Sequence, residues 1–306
     1  MAERSIESGL PPRTARMWVQ AIRPFSFTAS IIPVLLGAGM AAAQGMFNPG
    51  LLALTLLGAV AIQGAANLFS DYFDYCDGHD TSESFGGSGV LIRGILQPSE
   101  VFLAGLVLLA CNVAIGLYLT AIRGTPILVL GMLGALGAYF YSGRPVAYKY
   151  RALGDPVIFL LFGPLMVLGA YFVQSGVIEL VPMLYALPVG CLVTAILHVN
   201  NIRDIPSDGR GGGVTVARAL GLERAKGLLY VLLVAAYAFV IGGVLTGTFV
   251  RGSALAMLSA PLAWGLARQV HAARAPRDLV MLDVAAARVH LVFGVLLVIG
   301  VLLPLV

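Results

Sequence analysis

Two clusters of acidic and amide side chains stand at the ends of otherwise apolar segments. The first is NLFSDYFDYCDGHD at 67–80, and the second is NNIRDIPSD at 200–208. The first contains four aspartates, Asp71, Asp74, Asp77 and Asp80. A lipid-exposed carboxylate costs roughly 2.5–3.5 kcal/mol near the bilayer centre, so four in one segment need a compensating partner. Carboxylate and amide oxygens suit Mg²⁺, which adds water and phosphate oxygens to one or two carboxylates. The clusters therefore predict one shared site for a divalent cation and a phosphate.

Helical spacing places the members of each cluster on a common face. Asn67, Asp71 and Asp74 stand at i, i+4 and i+7, and Asp80 follows Gly78, where we expect the helix to end. The second cluster repeats the pattern at i, i+4 and i+8, with another amide and a base inside it: Asn200, Asn201, Arg203, Asp204 and Asp208. Two facing helices of this kind would enclose a cavity lined by carboxylates and amides.

Basic residues that could bind the phosphate lie near both clusters, at Arg93, Lys149, Arg151, Arg203 and Arg210. A diphosphate site that opens toward lipid implies a substrate with a hydrophobic remainder, and a polyprenyl diphosphate fits this description. Its allylic C–O bond ionises when Mg²⁺ and cationic side chains stabilise the departing diphosphate. Four aromatic residues could stabilise the carbocation, although packing is the commoner role for any one of them: Tyr139, Tyr141, Phe162 and Tyr171.

Composition places the chain in a membrane. Of its 306 residues, 59% are hydrophobic and 11% are charged, and the mean hydropathy is +0.91, far above that of soluble domains. A span of about 30 Å takes roughly 20 helical residues. We predict an all-α bundle of nine transmembrane helices forming a single domain, 1–306. The predicted spans are 25–45, 50–75, 101–121, 125–143, 155–176, 179–200, 225–247, 252–270 and 286–305.

Charge distribution predicts the orientation. Only Arg123 and Arg251 fall on one side of the predicted spans, and the other 17 of the 19 basic residues fall on the opposite side. This bias predicts a cytoplasmic N-terminus, with both acidic clusters at the cytoplasmic face of the cell membrane. The polar segment 1–22 lacks an apolar signal-peptide core, so we expect no cleaved signal. The net charge of +4 reflects this topology, and we expect no nucleic-acid partner.

Other residue types narrow the class of site. The three cysteines, Cys76, Cys111 and Cys191, are scattered without CxxC or Cys/His spacing, which argues against a disulfide framework and a zinc site. Two glycine-rich loops, at 78–99 and 205–223, could approach a ligand closely or could simply be flexible. Neither is a phosphate-binding Walker A loop, because the glycines lead to Val214 and Thr215 without the needed lysine.

The clusters resemble the two motifs of the UbiA superfamily of intramembrane aromatic prenyltransferases, and are most similar to the MenA branch of 1,4-dihydroxy-2-naphthoate polyprenyltransferases. The first motif, N-x-x-N-D-Y-x-D-x-x-x-G-x-D, is matched by Asn67, Asp71, Tyr72, Asp74, Gly78 and Asp80. The second, N-N-x-R-D-x-x-x-D-x-x-x-G-x-x-T, is matched by Asn200, Asn201, Arg203, Asp204, Asp208, Gly212 and Thr215. Segments at 23–37, 149–155, 162–176 and 196–201 also agree. The resemblance covers roughly residues 20 to 225.

The resemblance implies a nine-helix fold with a lateral opening to lipid, and roles for individual residues. Metal ligands would be Asp71, Asp74, Asp80, Asp204 and Asp208. Substrate binding would involve Asn67, Asn200, Asn201, Arg203 and Lys149, the last as the diphosphate-binding lysine. We add Arg93, Arg151 and Tyr141 to the substrate-binding residues. The residues expected to carry catalysis are Asp71, Asp74, Lys149, Asp204 and Asp208.

The chain departs from the family pattern at two places. Ser70 replaces the second asparagine of the first motif, which exchanges one hydrogen-bonding side chain for another. After Asp80, relatives often carry an acidic and basic pair near Ser88 and Gly89, where this chain reads SESFGGSG. Either Arg93 supplies the missing charge, or the loop closes over diphosphate in a different way.

Three residues near the motifs have alternative interpretations. Asp77 is absent from the family pattern, which favours a solvated loop acid over a ligand. His198 precedes the second motif by one turn and could contact the acceptor, act as a base or pack between helices. Asp155 could complement a helix dipole or support Lys149.

The predicted function is Mg²⁺-dependent transfer of a polyprenyl group from its diphosphate to 1,4-dihydroxy-2-naphthoate, with decarboxylation, in menaquinone biosynthesis. Two alternatives remain open. Another acceptor, such as 4-hydroxybenzoate or homogentisate, would use the same site. A cation-coupled transporter could also carry buried acids, but both clusters lie on one side and coincide with Lys149 and Arg203.

Overall fold

The computed structural model describes residues 15–82, 84, 86–210 and 212–303. Its α-helices are α1 Ala15–Ile22, α2 Thr28–Ala43, α3 Pro49–Cys76, α4 Pro98–Arg123, α5 Thr125–Phe140, α6 Gly154–Leu160, α7 Met166–Ser175, α8 Leu180–Arg203, α9 Ile205–Arg210, α10 Val216–Leu220, α11 Leu222–Leu245, α12 Ala260–Ala272 and α13 Leu282–Leu302. Short 3₁₀ helices lie at Pro24–Phe27, Tyr148–Tyr150, Arg251–Ser259 and Pro276–Leu279, and a π-helical turn lies at Leu161–Leu165.

The all-helical membrane fold is confirmed. The structure supports some of the nine predicted spans more clearly than others. Within the described residues, seven helical segments are long and apolar enough to cross a bilayer, and they match every predicted span except the fourth and eighth. The fourth is α5, whose 16 residues rise only about 24 Å. The eighth begins as the 3₁₀ helix Arg251–Ser259 and continues as α12. The span count and the orientation stay predictions, and residues 1–14 of the predicted N-terminal segment lie outside the described residues.

The core lies where α2, α7, α8, α11 and α13 pack together. Its largest fully buried side chains come from these helices: Ile32, Leu36, Tyr171, Leu192, Leu229 and Phe293. Glycines allow the close crossings, because a Cβ on Gly37 would lie 2.3 Å from the Val167 carbonyl oxygen. α8 is the most enclosed span, whereas α4 is the least buried of the seven. The second acidic cluster is therefore carried by the central helix of the bundle.

Local signals set where the two motif-bearing helices begin and end. The Asn48 side chain accepts a hydrogen bond from the Leu51 amide at 3.0 Å, and Pro49 occupies the first turn of α3. This helix runs for 28 residues, and Gly78 follows it with φ +74°, a left-handed conformation that glycine adopts without strain. Thus Asn67, Asp71 and Asp74 all lie in the last three turns of α3.

A π-helical turn interrupts the fifth span between α6 and α7. It contains Pro164, which has no amide hydrogen to donate to the helical ladder. A Cβ on Gly163 would lie 3.0 Å from the Gly190 Cα, so the turn lies directly against α8. The irregular turn also places Leu161, Phe162 and Leu165 on the wall of the main cavity.

Candidate active site

A cavity of about 870 Å³ connects the acidic helix ends with the membrane-spanning part of the bundle. Its polar end is lined by Asn67, Asp74, Asp80, Lys149, Asn200, Asp204 and Asp208. Its apolar end is lined by side chains of α3, α4, α5 and α7, among them Ile62, Ile115, Leu119, Leu130, Met166 and Val173. Such a cavity suits a ligand with a charged head and a hydrocarbon tail.

Asp71 is buried behind the cavity wall and paired with a base. Its carboxylate accepts hydrogen bonds from the Arg23 guanidinium and the Ser88 hydroxyl, and from the Ser88 amide at 3.2 Å. Arg23 and Ser88 line the cavity, and Asp71 itself is only 3% exposed. A ligand in the cavity therefore meets the Arg23 and Ser88 donors before it meets Asp71.

Asp74 is the centre of a dense hydrogen-bond network. One oxygen accepts from Lys149 Nζ at 2.8 Å and from Ser70 Oγ at 3.0 Å, and the other accepts from the Tyr150 hydroxyl at 2.8 Å. Burial disfavours a charged lysine, but the Asp74 carboxylate outweighs it and raises the pKa of Lys149 well above its ordinary value. Ser70, where the family motif has asparagine, thus still donates a hydrogen bond inside the motif.

The loop after α3 crosses between the two acidic clusters. A Cβ on Gly87 would lie 2.4 Å from the Asp80 carboxylate, and one on Gly86 would lie 2.9 Å from the Asp204 carboxylate. Gly87 also has φ +69°. Only glycine meets both requirements at Gly87, so this backbone is shaped to lie directly against carboxylates of both motifs.

Asp80 lines the cavity, and burial disfavours the ionised form of its carboxyl group. Desolvation raises its pKa, and the nearby negative charge of Asp74 adds to the effect, while Lys149 and Arg23 oppose it. Its sequence neighbour His79 stacks on the Tyr150 ring with centroids 3.8 Å apart. A bound cation would favour the ionised form of Asp80.

The second cluster balances its charges locally. Both oxygens of Asp204 accept from the adjacent Arg203 guanidinium, at 2.8 and 2.9 Å, and Arg203 also reaches Asp283 at 3.3 Å. The i, i+4 backbone hydrogen bonds predicted for this cluster are present, from Asp204 to Asn200 and from Asp208 to Asp204 at 2.9 Å each, but the helix is interrupted at Asp204, since α8 ends at Arg203 and α9 begins at Ile205. Asp208 therefore reaches the cavity from a separate short helix.

Two oxygen atoms of the second cluster are buried and have no hydrogen-bond partner among the described residues. They are Asp208 Oδ2 and Asn200 Oδ1, and both residues line the cavity. Burial raises the pKa of Asp208 to about 6, with Lys149 opposing the shift and Asp204 and Asp74 adding to it. Unpartnered buried oxygens are costly unless a ligand satisfies them. These atoms suit a hard cation.

One amide side chain in each motif, Asn67 and Asn201, is held through its NH₂ group. Asn67 donates its Nδ2 hydrogens to the Ile22 carbonyl at 2.7 Å and to Ser26 Oγ at 3.0 Å. Asn201 donates its Nδ2 to the Asp155 carboxylate at 3.1 Å. Both residues line the cavity, and each can offer a ligand its carbonyl oxygen, while Asn201 also keeps one N–H that Asp155 does not use.

The donor set fits Mg²⁺ together with a diphosphate. Among the described residues, no group of three His, Cys, Asp or Glu side chains converges to hold a metal alone. Mg²⁺ does not need such a group, because it commonly takes one or two carboxylates and completes its shell with water and substrate phosphate oxygens. Asp80, Asp204, Asp208, Asn200 and Asn201 could supply oxygen ligands, and Lys149 could supply positive charge for phosphate.

Several predicted residues lie away from the cavity. Arg93 is exposed and donates to the carbonyls of Gly89 and Ser88, so it braces the loop after α3. Arg151 is exposed and donates to the Pro145 carbonyl at 2.7 Å. Asp77 pairs with the exposed Arg144 at 2.8 Å. The Arg210 side chain lies outside the described part of the structure.

The candidate aromatic residues separate into two groups. Tyr141 and Phe162 line the cavity, and Lys149 Nζ lies 5.8 Å from the Tyr141 ring centroid. Tyr139 packs edge-on against Phe69, with centroids 5.3 Å apart. Tyr171 is fully buried and its hydroxyl donates to Gln44 at 2.6 Å. Only Tyr141 and Phe162 of the four are therefore placed to contact a bound substrate.

Sequence reasoning missed four residues of the site. Arg23 and Ser88 hold Asp71, Tyr150 holds Asp74, and Asp283 shares Arg203 with Asp204. Arg23 and Tyr150 stand in segments that match the family, at 23–37 and 149–155, which was a usable signal. Asp283 gave no such signal, because it lies 80 residues from Arg203 in the chain.

Comparison with known proteins points to one family. The model of the UbiA prenyltransferase family matches residues 30–282. UbiA prenyltransferase domain-containing protein 1 of Gallus gallus is 36% identical, over 99% of this chain and 89% of its own length. The 1,4-dihydroxy-2-naphthoate octaprenyltransferase of Bacillus subtilis is 31% identical, over 94% of this chain and 92% of its own length.

Solved structures share the fold. A UbiA homolog from Aeropyrum pernix K1 superimposes with a TM-score of 0.69 at 17% identity, covering 91% of this chain and 98% of that one. A UbiA homolog from Archaeoglobus fulgidus, bound to GPP and Mg²⁺, gives 0.62 at 14% identity, covering 92% and 99%. A family model that matches most of the chain, and relatives above 30% identity along almost its whole length, show that this chain belongs to the UbiA prenyltransferase family.

Proposed function

We propose that this protein transfers a polyprenyl group from a polyprenyl diphosphate to 1,4-dihydroxy-2-naphthoate, in a Mg²⁺-dependent reaction that releases diphosphate and CO₂ and serves menaquinone biosynthesis. One observation carries the proposal: a single cavity joins a polar end with unpartnered carboxylate and amide oxygens to an apolar end within the bundle. We place the reaction at the cytoplasmic side of the cell membrane, on the basic-residue bias alone.

Different residues at the polar end would bind Mg²⁺ and the diphosphate. Asp80, Asp204, Asp208, Asn200 and Asn201 would hold Mg²⁺, which stabilises the negative charge of the departing diphosphate when it is bound. Lys149 lies at hydrogen-bond distance from Asp74 and can turn its remaining ammonium hydrogens to phosphate oxygens. Arg23, which also lines the cavity, has guanidinium N–H groups beyond the one bonded to Asp71 and could donate them to phosphate oxygens.

Bond changes in the proposed reaction balance without an external oxidant or reductant. The allylic C–O bond breaks and its electron pair leaves with diphosphate. The ring carbon that bears the carboxylate supplies the pair for the new C–C bond, and the bond from that carbon to the carboxylate then breaks, so that CO₂ leaves and its electron pair restores the aromatic ring. The apolar cavity wall excludes water from the allylic cation, and Tyr141 presents an aromatic face to the same region.

The choice of acceptor is supported by relatives and motifs. The naphthoate octaprenyltransferase of Bacillus subtilis matches 94% of this chain, and the motif residues at 67–80 and 200–215 agree with the same branch. The test is to incubate the purified protein with Mg²⁺, one long prenyl diphosphate and a panel of acceptors, and to identify products by mass. We expect a decarboxylated prenyl naphthoquinol.

The same panel contains the outcomes that would overturn the proposal. A product formed only from 4-hydroxybenzoate, homogentisate or a glycerol phosphate would support prenyl transfer and overturn the proposed acceptor. Cation flux across vesicles that contain the protein, without any prenylated product, would favour a transporter. Removing Mg²⁺ with a chelator should stop product formation for every acceptor.

A further inference from the structure

A buried hydrogen-bond network joins α6, α8 and α11 directly behind the second acidic cluster. One oxygen of Asp155 is bonded to His198 Nδ1, and the other accepts from Asn201 Nδ2 at 3.1 Å. The second ring nitrogen of His198 lies 2.9 Å from the Ala225 carbonyl oxygen. Asp155, His198 and Asn201 are each at most 5% exposed. Neither Asp155 nor His198 lines the cavity, whereas Asn201 does.

Hydrogen-bond capacity determines how Asn201 is oriented. A carboxylate only accepts, so the side of the Asn201 amide that faces Asp155 must be its NH₂ group. The amide is planar, and its carbonyl oxygen therefore points away from Asp155. The Ala225 carbonyl also only accepts, so His198 carries a hydrogen on Nε2 and links the network to the backbone of α11.

We propose that Asp155 is a positioning residue, which fixes the carbonyl oxygen of Asn201 toward the Mg²⁺-diphosphate end of the cavity, with His198 bracing Asp155 against α11. This inference rests on the proposed function. Partners that orient a metal-binding side chain typically change metal affinity by 10–100-fold when they are removed. His198 thereby has a structural role, and the network leaves it no free nitrogen to act as a base.

An independent part of the molecule uses the same device. Asn67 in the first cluster also has its NH₂ group held by acceptors, the Ile22 carbonyl and Ser26, while the residue lines the cavity. In the first cluster a backbone carbonyl and a hydroxyl orient the amide. In the second, no backbone acceptor bonds the Asn201 amide in the described structure, and the Asp155 carboxylate takes that place.

The test measures binding without turnover. Purified protein is mixed with a prenyl thiolodiphosphate, which does not ionise, and Mg²⁺ is titrated while the melting temperature is followed. The Mg²⁺ concentration at half-maximal stabilisation should rise about 10–100-fold in Asp155→Ala. It should stay within about 3-fold of wild type in Asp155→Asn, because that amide can accept from Asn201 and donate to a neutral His198.

Two further variants separate positioning from folding. Asn201→Ala should shift the Mg²⁺ midpoint as far as Asp155→Ala, and the double variant should shift it no further. Tyr237→Phe is the matched control: it removes a partly buried hydrogen bond to Ser259 at 2.8 Å, and neither residue lines the cavity. It should lower the melting temperature and leave the Mg²⁺ midpoint unchanged.

The outcomes are distinguishable. An unchanged midpoint in Asp155→Ala, or additive shifts in the double variant, would refute the positioning role while the proposed function stands. If Asp155→Ala does not fold, an unchanged midpoint in Asn201→Ala refutes it instead. Wild-type protein that shows no Mg²⁺-dependent stabilisation by the diphosphate analogue would contradict the proposed function itself.

Discussion

The two acidic helix ends look alike in sequence and differ in how their charges are balanced. At the end of α3, Asp71 and Asp74 are paired with bases from distant parts of the chain, Arg23 and Lys149. At the end of α8, Asp204 is paired with its neighbour Arg203, and one oxygen of Asp208 has no partner in the described part of the structure. The first end is therefore integrated into the fold, and the second retains unsatisfied oxygens for a ligand.

This difference indicates different contributions to stability. A buried ion pair is costly to break, because removing one partner leaves an uncompensated charge. A buried carboxylate without a partner already lowers stability before any ligand binds. Replacing Asp71 or Asp74 is thus expected to destabilise the ligand-free protein, whereas Asp208 lowers its stability, because Asp208 Oδ2 has no partner among the described residues until a cation binds. Opposite responses to mutation would sharpen this comparison.

The largest effect is expected at the first end, in Asp74→Asn. Transfer should fall by more than about 100-fold, because the metal and diphosphate region loses a carboxylate. Stability should fall as well, by about 3 kcal/mol or more, since Lys149 loses its buried partner. Product formation and the melting temperature in detergent measure the two effects. A variant as stable as wild type would break the proposed distinction between the helix ends.

Asp208→Asn at the second end should lose transfer to a similar extent and yet become more stable in Mg²⁺-free buffer. Its folded pKa of about 6 lies above the ordinary 3.8, so the folded protein disfavours the ionised form. The penalty is therefore fully present above about pH 6 and disappears below the unfolded pKa. At pH 8 the gain should be on the order of 1–3 kcal/mol.

Melting temperatures of wild type and Asp208→Asn between pH 8 and 5 check this sign. The gap between them should narrow as the pH falls, because the wild-type carboxyl becomes protonated. The groups acting on Asp208 include Lys149, Asp204 and Asp74, and they are unchanged in the variant. A gap that widens toward low pH would contradict an unpartnered acid at this position.

Lys149→Gln and Arg151→Gln test whether the cation of the first end also serves the diphosphate. We expect Lys149→Gln to lower transfer by about 100-fold, since a charge-assisted contact to the leaving group is lost. Arg151→Gln should stay within about 3-fold of wild type, because that side chain is exposed and bonds only the Pro145 carbonyl in the described structure. Steady-state rates with saturating acceptor provide the measurement, and equal losses in both variants would place the diphosphate elsewhere.

Asp77→Asn should have the smallest effect and is the matched control for Asp74→Asn. The two aspartates lie three residues apart, but Asp77 pairs with Arg144, whose side chain is 74% exposed. Surface pairs of this kind contribute about 0–1 kcal/mol. Transfer rate and melting temperature should both remain close to wild type. A loss of transfer comparable with that of Asp74→Asn would show that Asp77 belongs to the active site.

The sequence was most informative where a pattern has one physical explanation. Apolar length predicts helices, and the seven long apolar segments agree with seven of the predicted spans. It was less informative for α5 and the segment at 251–272, because hydropathy reports apolar character and does not distinguish a short or 3₁₀-started helix from a full span. Spacing on α3 placed Asn67 and Asp74 on the cavity wall, because helical periodicity is a local property.

Pairing between distant residues could not be read in this way. Nothing local assigns Lys149 to Asp74 and leaves Arg151 at the surface, although the two bases are two residues apart. The difference arises because the 3₁₀ turn Tyr148–Tyr150 directs Lys149 into the cavity. Asp283 likewise reaches Arg203 only because α13 packs against α8.

By itself, the sequence determined that this is a helical membrane protein with two oxygen-rich motifs of the UbiA type, since composition and spacing are properties of the chain. The tertiary structure decided which charges are neutralised and which stay open. It paired Asp71 and Asp74 with bases, and it oriented the amides of Asn67 and Asn201 through the groups that accept their hydrogen bonds. It left Asp208 Oδ2 without a partner in the described structure. Burial is the physical reason, because a polar atom removed from water is costly unless another group of the protein or a ligand forms a hydrogen bond with it.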